Sequence, residues 1–151
     1  SNFEAGTRVP FIVRWPREVK PGVSNALVSQ VDLLTSLAAF TGQKLTDADA
    51  PDSFDVMSAL LGKTGTGRDH LIQQATVLSL REGTWKFIEP SKGPRVTANT
   101  DIETGNDPGG QLYDLARDLG ERQNLAAQYP ERMREMAARL AQIREMVRTR
   151  R

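Results

Sequence analysis

An apolar run near the start constrains the fold more than any other feature of the sequence. Residues 9–15 read Val-Pro-Phe-Ile-Val-Arg-Trp, and Pro16 closes the run. β-Branched and aromatic residues predict a strand, and because Phe11, Ile12 and Val13 are consecutive, both faces of that strand are apolar. Such a strand belongs inside a sheet that is covered on both sides. The chain offers few parallel partners for it, so we expect the strand to be part of a larger sheet whose other strands lie upstream.

Two helices are expected after this strand. Apolar residues at helical spacing predict the first over residues 31–41, with the Asp32 carboxylate near the positive helix end and Gly42 as the C-terminal cap. Ser53 is the expected N-terminal cap of the second helix, which ends at Gly62.

A change of pattern follows the second helix. Residues 63–68 read Lys-Thr-Gly-Thr-Gly-Arg and predict a flexible linker. We therefore expect a domain boundary here. Residues 1–62 form the end of one domain, and residues 63–151 form a smaller C-terminal domain.

The second part of the chain predicts a small sheet and a final helix. Residues 76–80 and 84–88 form a hairpin signal with Gly83 in the turn, and residues 111–115 form another short strand. Pro130 fits the first position of the last helix. The apolar residues of that helix recur three and four positions apart: Met133, Met136, Ala137, Leu140, Ile143 and Val147. The predicted class is α+β, with an antiparallel sheet packed by a C-terminal helix after the last strand and helices of an α/β domain.

Composition excludes several kinds of protein. The 20 basic residues nearly balance the 19 acidic ones, whereas a nucleic-acid-binding protein usually has a basic excess on one face. The basic run at residues 144–151 is interpreted as a solvated terminus. The chain has no cysteine, which excludes disulfides, thiolate metal sites and cysteine nucleophiles within it. Its apolar runs are shorter than the roughly 18 residues of a membrane span. We expect neither a nucleic acid nor a membrane as partner.

The sequence contains no recognisable catalytic constellation. His70 is the only histidine, and we interpret it as structural or solvent-exposed. The glycines at 62, 65 and 67 lack the Gly-Lys-Ser/Thr ending of a phosphate-binding loop. A cluster of acidic residues without the glycine placement of a calcium hand loop is interpreted as a solvated loop that caps helices. The members of this cluster are Asp47, Asp49, Asp52 and Asp55. We therefore predict no catalytic residue and no metal ligand in this chain.

Four blocks along the chain resemble motifs of one known family. Residues 3–16 (Phe-Glu-Ala-Gly-Thr-Arg-Val-Pro to Trp-Pro) resemble a family signature, and residues 28–37 resemble the block after it. Residues 79–88 are similar to the family's C-terminal hairpin, and residues 111–125 to its closing motif. The blocks occur in the family's order, so the chain resembles the C-terminal portion of a sulfatase, an arylsulfatase-like family of the alkaline-phosphatase-like superfamily. Three positions depart from the family pattern, which puts the local turn geometry in doubt: Ala5, Arg17 and Leu119.

The resemblance implies a mechanism for the parent enzyme. Sulfatases hydrolyse sulfate esters with a formylglycine formed in a Cys/Ser-x-Pro/Ala-x-Arg motif, and with a calcium ion that neutralises the sulfate oxygens. The resemblance places that motif, the metal ligands and an active-site lysine upstream of this chain, so we expect the fragment to contain no cofactor and to be inactive when isolated. We expect Glu4 and Arg8 to pair or cap near the start of the first strand, without a catalytic role.

The same resemblance suggests which residues lie near substrate. Loops of the C-terminal subdomain can form one wall of the pocket, and the candidates here are the loop 89–110 and the rim residues Gln73 and Gln74. The expected partner is the rest of the parent sulfatase chain, with a homodimer through residues 9–15 as a further possibility. The compartment is not identified by the sequence, although the resemblance is compatible with a periplasmic or secreted parent.

Two other functions stay open at this point. The chain could be a non-catalytic binding or interaction module that uses its sheet and long loop to hold an anionic partner. It could also be part of a phosphoesterase from the same superfamily. An upstream Cys/Ser-x-Pro/Ala-x-Arg motif would favour the sulfatase, and histidine-rich ligands for two metals would favour the phosphoesterase. The substrate is left open by the sequence.

Overall fold

Helices occupy the first part of the chain and its end, and the strands lie between them. The computed structural model describes residues 1–46 and 48–146. In chain order the elements are α1 (Glu4–Thr7), α2 (Asp32–Phe40), α3 (Met57–Leu60), β1 (His70–Gln74), β2 (Leu78–Glu82), β3 (Trp85–Ile88), β4 (Gln111–Asp114) and α4 (Pro130–Arg144).

The chain forms two compact units. One, here called the sheet unit, contains Ser1–Val9 and Ile72–Arg144. The other, here called the helical unit, contains Pro10–Leu71. The first nine residues thus pack with a sheet that follows them by more than sixty positions. The expected boundary between residues 62 and 63 concerns the domains of a longer protein and stays a prediction.

The sheet has the order β1-β2-β3-β4. β2 and β3 pair antiparallel with Glu82 opposite Trp85, which leaves Gly83 and Thr84 as a two-residue loop. Gly83 has a φ of 58°, and a glycine with positive φ at the first loop position is what a type II′ hairpin turn requires. β4 adds antiparallel to β3 with Leu112 opposite Phe87. The predicted hairpin and the strand after it are confirmed, with slightly shifted ends, whereas β1 was not predicted.

The final helix covers one face of this sheet, as the sequence predicted. α4 begins at Pro130, and its three buried apolar residues repeat at spacings of four and three. Together with buried residues of β2, β3 and β4 they form one core, whose members are Leu80, Phe87, Leu112, Met136, Leu140 and Ile143. The α+β class with a helix packed on an antiparallel sheet is confirmed. Val147 was predicted to extend the apolar stripe and lies outside the described residues.

The opposite face of the sheet is covered by the start of the chain. Side chains alternate along a strand, so Ile88 and Tyr113 lie on the face away from α4. They form a second apolar cluster with Leu115, and Phe3 packs against it. The rings of Phe3 and Tyr113 meet edge to face at 6.0 Å between centroids. Both faces of the small sheet are therefore occupied, one by a helix and the other by a segment from the chain's beginning.

In the helical unit, α2 and α3 are held together by hydroxyl groups. Ser36 Oγ accepts a hydrogen bond from the Val56 amide at 2.9 Å, and the buried Ser53 Oγ accepts one from the Thr35 amide at 3.1 Å. The prediction that Ser53 caps the second helix is wrong, because α3 begins only at Met57 and the Ser53 hydroxyl is engaged with α2. Both helices end as predicted at glycines with positive φ, Gly42 at 73° and Gly62 at 66°.

The apolar run at residues 9–15 is not a strand in this structure. A strand needs a neighbouring backbone to accept and donate hydrogen bonds, and no described backbone group pairs with residues 9–14 in this way. The side chains of the run are largely exposed, with Ile12 at 87% and Phe11 at 48%. The predicted strand is therefore not formed in this structure, because the described residues supply no partner for it, and its place in a larger sheet stays a prediction.

Candidate functional site

The two rim candidates occupy the outer strand of the sheet. Gln73 and Gln74 are the last residues of β1, where Gln73 is half-buried and Gln74 is exposed. Because adjacent residues of a strand face opposite ways, the two amides cannot line one wall together through this strand. The Gln73 side-chain oxygen has no hydrogen-bond partner among the described residues. Their assignment to a substrate pocket stays a prediction.

The long loop 89–110 is held in place by its own polar side chains. Ser91 Oγ donates to Asn106 Oδ1 at 2.9 Å, and Thr104 Oγ1 donates to the Pro94 carbonyl at 2.7 Å. A single bridge pairs Val96 with Glu103. These contacts give the loop a defined shape that could present groups to a ligand, although its role as a pocket wall stays a prediction.

An open depression of about 530 Å³ lies where this loop meets the start of α4. Its lining includes Asp107, Asn124, Met133 and Arg134. The Asp107 carboxylate already faces Arg95 at 2.5 Å. The depression therefore presents few uncommitted charges, and neither rim glutamine lines it.

The lone histidine is buried. His70 begins β1, and its ring meets Phe54 edge to face at 6.3 Å. Its Nδ1 lies 2.6 Å from the exposed Asp69 carboxylate. Burial opposes the charge of that carboxylate, but the hydrogen bond and charge of His70 outweigh it and lower the pKa of Asp69. These contacts agree with the structural interpretation of His70.

The acidic cluster is used for local turns. Asp49 Oδ2 accepts hydrogen bonds from the Thr46 amide at 2.8 Å and from its hydroxyl at 2.7 Å. Asp55 Oδ1 accepts the Met57 amide at the start of α3. Asp47 lies outside the described residues. Among residues 1–46 and 48–146, no three His, Cys, Asp or Glu side chains are grouped so as to hold a metal ion.

The glycine-rich residues 63–68 are packed at their end, so the prediction of a flexible linker is wrong there. A Cβ at Gly67 would lie 2.1 Å from the Leu27 carbonyl oxygen, and the next amide, Arg68, donates to that same oxygen at 2.7 Å. The Arg68 guanidinium is buried 3.1 Å from Asp32 and stacks over the Phe54 ring at 4.5 Å. Asp32 therefore lies in the first turn of α2, as predicted, and also forms a buried ion pair with Arg68.

A buried charge cluster is the main polar feature of the sheet unit. Lys86 in β3 is fully buried, with its ammonium 3.1 Å from Glu4 Oε1 and 3.0 Å from Glu121 Oε1. Arg81 Nη1 approaches the other Glu4 oxygen at 3.3 Å. The Glu4 amide also donates to the Glu121 carboxylate. Two cations thus face two carboxylates at a site where Lys86, Glu4 and Glu121 are buried and Arg81 is partly exposed, so each buried charge depends on its partners.

This cluster corrects one sequence prediction. Glu4 was expected to pair with Arg8 or to cap a strand, but it lies in α1, is buried, and contacts Lys86 and Arg81 instead. Arg8 follows α1 and is exposed. The difference has a simple reason, since the segment turns onto the sheet rather than extending into a strand.

Glu121 is held in an unusual state within the cluster. Its φ is 52°, in the left-handed region that non-glycine residues seldom adopt. Burial raises the pKa of its carboxyl, against the hydrogen bond from the Glu4 amide and the charge of Lys86, which lower it. These two contacts offset part of the cost of burying the Glu121 carboxyl.

The comparisons with known proteins converge on one family. The chain is 47% identical over 152 aligned residues to the N-acetylgalactosamine-6-O-sulfatase of Bacteroides thetaiotaomicron. The alignment covers 99% of this chain and 29% of that protein. It is 33% identical to human arylsulfatase A, over 83% of this chain and 27% of that protein. A solved sulfatase structure from the glycosaminoglycan-metabolism locus of B. thetaiotaomicron superposes with a TM-score of 0.92 at 46% identity, over 97% of this chain and 31% of the other. The chain belongs to the sulfatase family. No profile of a known family matches it.

The sulfatase resemblance is thereby confirmed, and the chain corresponds to the C-terminal part of these enzymes. It spans less than a third of the length of the relatives. The residues present do not fit the cofactors that the family implies. The chain has no cysteine, and none of its serines begins a Ser-x-Pro/Ala-x-Arg motif that could yield formylglycine. No calcium site is formed by the described residues either. No helix in the described part of the chain has the length and apolarity to cross a membrane.

Proposed function

We propose that this chain is the C-terminal part of an enzyme that hydrolyses sulfate esters, with 6-O-sulfated N-acetylgalactosamine as the first candidate substrate. The observation that carries the proposal is the 47% identity over nearly the whole chain to an N-acetylgalactosamine-6-O-sulfatase. The agreement of the backbones, at a TM-score of 0.92 with a sulfatase, supports it.

Within that enzyme, the chain would supply support rather than chemistry. Nucleophilic catalysis needs an activated nucleophile, and this chain provides neither a formylglycine precursor nor a metal site in the described residues. Formylglycine and calcium would be held by the remainder of the enzyme. The exposed apolar side chains of residues 9–15 would pack against that remainder, since contiguous apolar surface usually marks an interface.

The chain would also contribute to one wall of the substrate pocket. The loop 89–110 has a fixed shape, and Gln74 is exposed at the end of β1. Because Gln73 faces the other way along β1, Gln74 would be the member of the pair on this wall, where its amide could hydrogen-bond a sugar hydroxyl.

Sequencing the gene upstream of Ser1 is the first test. A Cys/Ser-x-Pro/Ala-x-Arg motif in the same reading frame is expected, and histidine-rich ligands for two metals would instead indicate a phosphoesterase. The longer protein should then be assayed on N-acetylgalactosamine-6-sulfate, on the 4-sulfate isomer, on an aryl sulfate and on the matching phosphate ester. Turnover of the 6-sulfate above the other three is expected, and turnover of the phosphate alone contradicts the proposal.

The isolated chain should show no turnover of a generic aryl sulfate, with or without calcium. The reason is that the groups needed for nucleophilic attack are not among its residues. Purified chain is the matched negative control for the longer enzyme. Turnover by the isolated chain that disappears on mutation of one of its own residues would contradict this part of the proposal.

A further inference from the structure

The buried charge cluster joins parts of the chain that are far apart in sequence. Lys86 lies 82 positions from Glu4, and Glu4 lies 117 positions from Glu121. A lysine with no exposure to water is costly unless it is fully paired. Its partners are the carboxylate of α1 on one side and the strained Glu121 on the other. Such charge pairing fixes which residues meet, whereas apolar packing alone does not.

The residues before Glu4 are anchored as firmly. The fully buried Asn2 donates its amide to the Val77 carbonyl at 2.6 Å and accepts the Thr76 amide at 3.1 Å. Its backbone amide donates to the Thr104 carbonyl at 3.0 Å. The Asn2 side chain therefore pairs with two backbone groups of the connection between β1 and β2 that would otherwise need another partner.

Together these contacts make the second sheet face a receptor for residues 2–7. Asn2 satisfies backbone groups, Phe3 fills the apolar cluster beside Tyr113, and Glu4 enters a cationic recess formed by Lys86 and Arg81. The recess recognises a carboxylate from a peptide segment, and charge complementarity fixes which residue enters it.

We propose that Lys86 is a positioning residue that locks residues 2–7 onto the sheet through Glu4 and Glu121. This role rests on the proposed function. By holding residues 2–7 on the sheet, Lys86 fixes where the remainder of the sulfatase joins its C-terminal sheet. Lys86 therefore affects catalysis only through the position of this segment. Lys86 touches no substrate in this role.

Hydrogen exchange on the intact chain tests the lock. Lys86→Met should raise amide exchange in residues 2–7 by roughly two orders of magnitude, since loss of one partner leaves buried carboxylates unpaired. Exchange in β4 and α4 should change far less. Lys44→Met is the matched control, because Lys44 is exposed and lies in the helical unit, and it should leave amide exchange in residues 2–7 unchanged. Equal exchange of residues 2–7 in both variants would overturn the proposal.

A second variant distinguishes release of residues 2–7 from unfolding of the whole sheet unit. Glu4→Gln removes the charge from the segment while Lys86 stays in place, and it should also release residues 2–7. If Lys86 acts through Glu4, the variant carrying both changes should exchange little faster than Lys86→Met. Independent, fully additive effects of the two changes would overturn the proposed coupling.

Activity of the longer enzyme separates this inference from the proposed function. Lys86→Met should lower kcat on a sulfate ester by roughly tenfold or more, because small displacements of a positioned segment are costly to rate, and Lys44→Met should not. Wild-type turnover that is unaffected by Lys86→Met overturns the positioning role and leaves the proposed function intact. Absence of wild-type turnover contradicts the proposed function, and the exchange experiment still decides the lock.

Discussion

Gly67 shows how one missing side chain can fix a connection. Its position is closed by the Leu27 backbone, with the carbonyl oxygen 2.1 Å and the carbonyl carbon 2.9 Å from where a Cβ would lie. The Arg68 amide binds that oxygen, and the buried Arg68–Asp32 pair holds the following residue. The backbone thus has little room to shift away from an added methyl group.

We therefore expect Gly67→Ala to destabilise the chain by about 1–3 kcal/mol, the usual cost of overpacking. Gly65→Ala is the matched control, because a Cβ at Gly65 meets nothing within 4 Å. Urea unfolding of both variants measures the difference. Equal midpoints for the two variants would show that the Gly67–Leu27 contact can relax at no cost.

Glu121 gives a prediction of pH dependence at the same scale. Its pKa is raised in the folded state from the ordinary 4.5, so its ionised form costs folding free energy above the folded pKa. As pH falls from above the folded pKa towards 4.5, the folded protein takes up this proton before the unfolded chain does. The cost in folding free energy is lost over the same range. The charged groups that face it are Lys86, whose ammonium lies 3.0 Å from Glu121 Oε1, and Glu4.

Glu121→Gln cannot ionise, so the comparison isolates this group. The stability of the wild type relative to Glu121→Gln should increase as pH is lowered from about 7 to about 5. Urea unfolding of both proteins at each pH measures it. A relative stability that falls over this range would mean that pairing with Lys86 outweighs burial.

At the scale of elements, α4 provides the main apolar cover of the sheet. Leu140 is 1% exposed and contacts the core formed with β2, β3 and β4. Leu140→Ala should lower the free energy of unfolding by about 2–5 kcal/mol, because truncation leaves a cavity in a packed core. Gln142→Ala, at an exposed position of the same helix, should change it by less than about 0.5 kcal/mol. Similar values for the two variants would show that α4 is not docked.

Elements with a strong local signal were predictable from the sequence. α4 has Pro130 at its start and a regular apolar stripe, and the hairpin has Gly83 in its turn, so period and turn chemistry were sufficient. β1 was missed because residues 70–74 read His-Leu-Ile-Gln-Gln, a short segment with neither alternation nor a turn signal of its own.

The charge cluster could not be predicted because its members meet only through tertiary structure. A lysine within a strand is usually solvated, and nothing local distinguishes Lys86 from such a residue. A partial signal existed, since Lys86 lies among Trp85, Phe87 and Ile88, which bury both faces of β3. Family resemblance recovered the blocks that contain Glu4, Lys86 and Glu121, but not the contacts between them.

At the scale of the whole molecule, the apolar run 9–15 leaves the chain with an unsatisfied surface. Residues 9–14 have no backbone partner in the described part of the chain, and Trp15 contacts only the Phe40 ring among described aromatic side chains, at 5.4 Å. An extended apolar segment with free backbone groups is a template for pairing with another chain. In a sulfatase the rest of the enzyme would cover it, whereas the isolated chain can cover it with a second copy.

We expect the isolated chain to dimerise through residues 9–15, because a symmetric contact buries the same patch on both copies. Deleting residues 1–16 would be a poor test, since it would also remove Asn2 and Glu4 from the sheet. Ile12→Asp is sharper, because Ile12 is 87% exposed and belongs to the helical unit, and its replacement puts a charge into the expected contact while residues 1–9 stay in place. Val23→Asp is the matched control at an exposed position outside the run. Light scattering over a range of concentrations should show a dimer for the wild type and Val23→Asp and a monomer for Ile12→Asp, and a wild type that stays monomeric throughout would show that the run is not an association surface.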